Sequence, residues 1–169
     1  MRILGIDPGS RRTGIGVVDL VDHKVIYVHH QVVATKDQDF PTRLKDIFEG
    51  VSAVIAEFKP TEAAVESVFL SHNPSSALKL GQARGAAICA AVAVGMAVHE
   101  YAPTEIKKAV VGTGRADKAQ VQHMVMLLLG LSDLPDSDPA DALACAIAHS
   151  HHRQTSDRIG APTRWRRRR

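Results

Sequence analysis

Apolar positions open the chain in a tight cluster. Residues 2–7 (RILGID) form a buried strand built on Ile3, Leu4 and Ile6 and ending at Asp7, where Pro8 and Gly9 break the pattern. A second strand follows over 13–20 (TGIGVVDL), a turn over 21–23, and a β-branched run over 24–33. Three strands joined by such short turns predict an antiparallel meander. From Phe40 the period lengthens. Phe40, Leu44, Ile47, Phe48, Val51, Val54, Ile55 and Phe58 fall on one face of a long helix that Lys59-Pro60 stop. A short buried strand over 63–66 ends on Glu66. Asn73 and Pro74 then open a helix that runs to about residue 93. A fifth strand occupies 96–101, two helices lie near 104–111 and 118–129, and a last helix spans about 139–151.

The order βββ-α-β-α-β-α-α-α predicts an α/β domain with a five-stranded mixed sheet, an antiparallel meander plus parallel strands, flanked by helices. This is the strand order of the ribonuclease H-like fold, an analogy that does not by itself fix function.

Charge changes the picture at one end. The chain has 169 residues and a formal charge of +3. Residues 153–169 hold seven arginines against Asp157, so that stretch carries +6 and residues 1–152 carry −3. The expectation is one domain over 1–152 and a disordered basic tail over 153–169, which either binds phosphate non-specifically or only adds solubility. No apolar run approaches the roughly 20 residues that span a bilayer, and no signal-peptide pattern opens the chain. Cys89 and Cys145 lie far apart in apolar stretches and read as buried free thiols. A cytoplasmic location with no membrane association is expected.

Four acids carry the candidate chemistry. Asp7 and Glu66 each terminate an apolar strand, where a carboxylate is costly unless it is paired, hydrogen-bonded or metal-bound. Asp7 could instead be a turn residue after its strand. Asp138 and Asp141 stand three apart at the start of the last helix, on one side of its first turn. Capping offers a competing account, with Asp138 as N-cap, Pro139 as first helical residue and Asp141 three past the cap. Four convergent acids require cations, and magnesium prefers such oxygen ligands. A pair of these ions can drive phosphodiester hydrolysis. No cysteine or histidine spacing suggests zinc. His149, His151 and His152 crowd the last helix and read as structural.

Further segments, taken together, are specific. Gly5-Ile6-Asp7-Pro8-Gly9, Val65-Glu66 with Phe69, residues 78–85 (LKLGQARG), Ile106-Lys107-Lys108, and Asp138-Pro139-Ala140-Asp141-Ala142 closely resemble the RuvC family of bacterial Holliday-junction resolvases, over residues 1 to about 152. The resemblance implies that Asp7, Glu66, Asp138 and Asp141 are catalytic metal ligands. They would hold Mg²⁺, two ions per site, with Mn²⁺ able to substitute. It also implies DNA contacts by Lys107, Lys118 and Arg115, and base stacking by Phe69, for which a core position is the competing reading. The implied partners are four-way junction DNA, a second copy in a homodimer, and the branch-migration complex RuvA–RuvB. Gly81 and Gly85 in the second helix suggest close approach by another backbone, either that second copy or the chain's own sheet.

Three rivals remain at this stage. An actin-like kinase needs two such domains, and this chain has room for one. A ribosomal-RNA-processing nuclease of the same fold would choose RNA over four-way DNA. A non-catalytic junction binder would bind and cut nothing, against which the intact acids argue.

Overall fold

Two-residue turns are the tightest way to return a strand on its neighbour, and Asp22 and His23 make one with φ of 47° and 63°. They join β2 (Arg12–Val21) to β3 (Lys24–Ala34), while β1 (Arg2–Asp7) pairs antiparallel with the other side of β2. β4 (Glu62–Glu66) and β5 (Ala97–Tyr101) add parallel strands, giving the order β3-β2-β1-β4-β5. The computed structural model describes residues 1–35, 39–67 and 73–159.

The strand period sorts the core into two layers. Leu4, Ile6, Ile15, Val17, Ala63 and Val65 face α1 (Phe40–Phe58) and α2 (Pro74–Ala93). Ile3, Val18, Ala64 and Tyr101 face α3 (Pro103–Val111), α4 (Lys118–Leu129) and α5 (Ser137–Ile159). The expected meander, parallel additions and flanking helices are therefore all present. α1 buries Ile47, Val51, Val54 and Ile55 and ends where Lys59 takes a left-handed conformation before Pro60.

Glycine decides how close α5 lies to the sheet. A Cβ at Gly5 would stand 2.0 Å from the Ala142 carbonyl oxygen, and one at Gly14 would stand 2.0 Å from that of Asp138. No side chain fits there, so the backbone of α5 rests directly on β1 and β2. This seats the first turns of α5 beside Asp7, which pairs in register with Gly14.

Some expectations change. The last helix runs to Ile159 rather than about 151, because no glycine or proline interrupts it before Gly160. Residues 153–159 are therefore helical. α5 begins at Ser137, and the Asp136 carbonyl accepts the first helical bond from Ala140 N at 3.0 Å. Asp138 lies inside the first turn and is not the cap. Cys89 is exposed, whereas Cys145 is buried, and both are free. Nothing stands within 4 Å of a Cβ built at Gly81 or Gly85, so neither glycine packs on the chain's own sheet.

Gly5→Ala should lower the melting temperature sharply, since overpacking against backbone costs about 1–3 kcal/mol or more. That corresponds to roughly 2–4 °C per kcal/mol in a domain of this size. An unchanged melting curve would mean that α5 does not rest on β1.

Candidate active site

Alternation along a strand places Ile3, Gly5 and Asp7 on the α5 side of β1, and Glu62, Ala64 and Glu66 on the same side of β4. β1 and β4 run parallel, with Ile6 opposite Val65, so Asp7 and Glu66 emerge together at one end of the sheet. The low seat of α5 brings Asp138 and Asp141 to that end. The four acids therefore converge from three elements.

Their electrostatics follow from crowding and burial. Burial pushes the Asp7 carboxyl up to about 8, and the charges of Glu66, Asp141 and Asp138 add to the rise against the pull of Lys118. Burial also raises Glu66, as does Asp141, while Lys118, Lys107 and a hydrogen bond from Asp7 oppose the shift. The rise favours the protonated form of Asp7, whose carboxyl shares a hydrogen bond with Glu66. The other two acids hold basic partners. Asp141 lies 3.1 Å from Lys118 Nζ, and Asp138 accepts from Arg12 Nε at 2.6 Å. Lys118 Nζ also donates to Ser137 Oγ at 2.9 Å. These pairings hold the cluster open, and among the described residues no three of the four acids bring oxygens within 4.8 Å of one another.

A narrow cleft of about 180 Å³ leads into the cluster, lined by Glu66, Asp141, Lys107, Lys118, Pro103, Ile106 and Val121. Lys107 and Lys118 thus face the acids. Arg115 is exposed on the turn between α3 and α4. Phe69 lies outside the described residues.

Sequence reasoning missed Arg12 and Arg84. Arg84 on α2 donates from Nε to the Glu66 carbonyl at 3.3 Å and pairs with Glu100 at 2.7 Å, which fixes the end of β4. Its presence within residues 78–85 was the available signal. For Arg12 there was none, since its partner is 126 residues away.

The comparisons with known proteins decide among the rival readings. A family model described as crossover junction endodeoxyribonuclease RuvC matches residues 3–149. The chain belongs to the RuvC family of crossover junction endodeoxyribonucleases. A relative of that name from Methylococcus capsulatus is 55% identical over 163 residues, covering 96% of this chain and 98% of the relative. Another from Citrifermentans bemidjiense is 55% identical over 152 residues, covering 89% and 93%. Among solved structures, T. thermophilus RuvC in complex with a Holliday junction substrate superposes with a TM-score of 0.85 at 36% identity, covering 95% of this chain and 97% of that one. A yeast mitochondrial Holliday junction resolvase shares the fold at a TM-score of 0.65 and 14% identity, covering 93% and 85%. The family makes the protein a metal-dependent nuclease and settles its fold as ribonuclease H-like. No described helix is long and apolar enough to cross a membrane.

A second group of potential metal ligands, Glu62, His99 and His149, is also present. Glu62 stands four residues before Glu66 on β4, a separation of about 13 Å along a strand. His149 stands eight residues after Asp141 on α5, about 12 Å along a helix. The two groups therefore occupy opposite ends of the sheet and cannot share an ion.

Asp7 gives a test by linkage. An Asp in an unfolded chain ionises near pH 4, whereas Asp7 in the fold does so at about 8. The stability tied to its protonated form is complete below about pH 4 and is lost as pH rises through the folded value. Asp7→Asn removes that loss. In chelator, the melting temperature of the variant should rise relative to wild type by several degrees between about pH 5 and about pH 8. A constant difference across that range would contradict the assignment.

Proposed function

We propose that this protein resolves four-way (Holliday) DNA junctions in homologous recombination and repair, by two symmetric nicks made through metal-dependent phosphodiester hydrolysis. The observation that carries the reading is the convergence of Asp7, Glu66, Asp138 and Asp141 at one sheet end, where burial and then the charges of its neighbours raise Asp7 to about 8. Four oxygen donors that repel one another suit hard divalent cations, so the residues fit two Mg²⁺ ions, or Mn²⁺ in their place. When bound, such ions would neutralise the acids, polarise a scissile phosphate and lower the pKa of an attacking water.

The chain's own groups then have distinct tasks. Asp7, Glu66, Asp138 and Asp141 supply the anionic cradle. Arg12 and Lys118 pair with Asp138 and Asp141, which places two cations beside the cradle where a phosphate would enter. Lys107, at the cleft wall, is placed to contact the backbone of an entering strand, and Arg115 and Phe69 extend that contact to duplex phosphate and to an unstacked base. Phosphate contacts position the DNA rather than read its sequence.

Paired nicks call for two equivalent sites, which closed two-fold symmetry supplies. The homodimer forms in this reading through the outer face of α2, where Leu78, Gly81, Gly85, Cys89 and Val92 make a small, apolar stripe. Leu78 and Val92 are 66% and 56% exposed, and the space above both glycines is open. The same reading places the protein in the cytoplasm and pairs it with the RuvA–RuvB branch-migration complex.

Synthetic four-way junctions resolved on a denaturing gel test the reading. Wild type should give paired nicks with Mg²⁺ and none in chelator. Glu66→Gln should lose cutting by about 100-fold or more, the scale for removing one preorganised charged group, while a native gel shows junction binding retained. Cutting near the wild-type rate would remove Glu66 from the site. Sedimentation should find a dimer at micromolar concentration that Val92→Glu shifts toward monomer. A dimer unaffected by that change would move the interface elsewhere.

A further inference from the structure

The end of the sheet remote from the acids carries its own constellation. Glu62 opens β4, His99 lies in the middle of β5, and His149 lies two turns beyond Asp141 on α5. One atom of Glu62, Oε2, stands 2.7 Å from His149 Nε2 and 3.8 Å from His99 Nε2. The ligand atoms of all three residues lie within 4.8 Å of one another. His149 is 1% exposed, and its other nitrogen, Nδ1, is hydrogen-bonded to the Tyr101 hydroxyl at 2.7 Å.

A metal-free polar network accounts for part of this. Tyr101, His149 and Glu62 form a chain of hydrogen bonds that satisfies both nitrogens of the buried ring. His99 packs its ring on that of His149 at 4.5 Å between centroids, and its Nε2 approaches the same carboxylate oxygen at 3.8 Å, too long for a hydrogen bond. Arg153 pairs with the same carboxylate without a hydrogen bond at Nε, which is buried and stands 3.5 Å from Glu62 Oε2.

We propose that Glu62, His99 and His149 form a second metal site, for Zn²⁺ or a similar borderline divalent transition ion, distinct from the catalytic acids. Two imidazoles and one carboxylate are a ligand set that suits zinc and not magnesium. The Tyr101 hydroxyl supplies the outer partner that metal-bound histidines commonly have, with Nδ1 donating to it once Nε2 is a ligand. A cleft of about 880 Å³, lined by Met96, Val98 and Ser156 among others, opens onto the three residues and leaves room for entry and for water as fourth ligand. Arg153 is the competing cation. Held by no hydrogen bond at Nε, it occupies the charge position that the ion would take. The bound ion would tie the edge strand β5 to β4 and to the middle of α5.

The test uses the full-length protein with excess Mg²⁺, which occupies the acid cluster and competes poorly for imidazole. Zn²⁺ is titrated against a chromophoric chelator, and Co²⁺ is followed by its visible absorption. One Zn²⁺ per chain is expected, with an intense tetrahedral Co²⁺ spectrum. His99→Phe should weaken Zn²⁺ binding by 10-fold or more, and Arg153→Gln should tighten it. His99→Phe tests the site even if a variant at the buried His149 fails to fold. Junction cutting by wild type and by His99→Phe in Mg²⁺ alone should be equal, which separates failure of this proposal from failure of the nuclease reading. Absence of stoichiometric Zn²⁺, or binding unaffected by His99→Phe, would overturn the proposal.

Discussion

Mutual repulsion among carboxylates forced into one partly buried corner is the constraint on which the rest of this molecule turns. Water would disperse Asp7, Glu66, Asp138 and Asp141, and the fold does not allow it. Two features of the structure offset that repulsion. The protonated form of Asp7 is favoured and shares a hydrogen bond with Glu66, and the α5 acids pair with Arg12 and Lys118. Both devices are substitutes for positive charge. Metal and phosphate can take the places of that proton and those two basic side chains.

The fold imposes that strain through packing rather than through any bond at the site. Gly5 and Gly14 remove the side chains that would otherwise lift α5 off the sheet. Alanines at 140, 142, 144, 146 and 148 let the helix stay low over its length, and all are buried. The strands do the rest, since parallel pairing of β1 with β4 puts their terminal acids at one end. Burial of these layers supplies the free energy that holds the acids together, and α5 carries both the catalytic corner and, two turns later, the Glu62–His99–His149 cluster.

Much of this was legible in the residues. Apolar runs and their change of period located every strand and helix to within a residue or two, apart from the far end of α5. Asp7 and Glu66 were readable because a carboxylate ending an apolar strand has few uses. The competing account of Asp138 as a cap rested on Asp-Pro, a strong local signal, but the cap lies two residues earlier at Asp136, with the helix starting at Ser137. The end of α5 was set too early because arginine-rich composition suggested disorder, whereas Arg153 is drawn in by Glu62, a contact 91 positions away in the chain. Arg12 and the Glu62–His99–His149 group were invisible for the same reason. Their partners meet only in three dimensions, and no local pattern announces them.

The proton that Asp7 retains gives the most direct access to the central claim. Titrating Mn²⁺ into the DNA-free protein by calorimetry at pH 7, in two buffers of different ionisation enthalpy, counts the protons released on binding. Displacement of the shared proton by the ion predicts release of about one proton per site at pH 7, and little release in Asp7→Asn. Binding at the acids with no proton release in wild type would show that the cluster is not strained by its own charge, and would contradict the account.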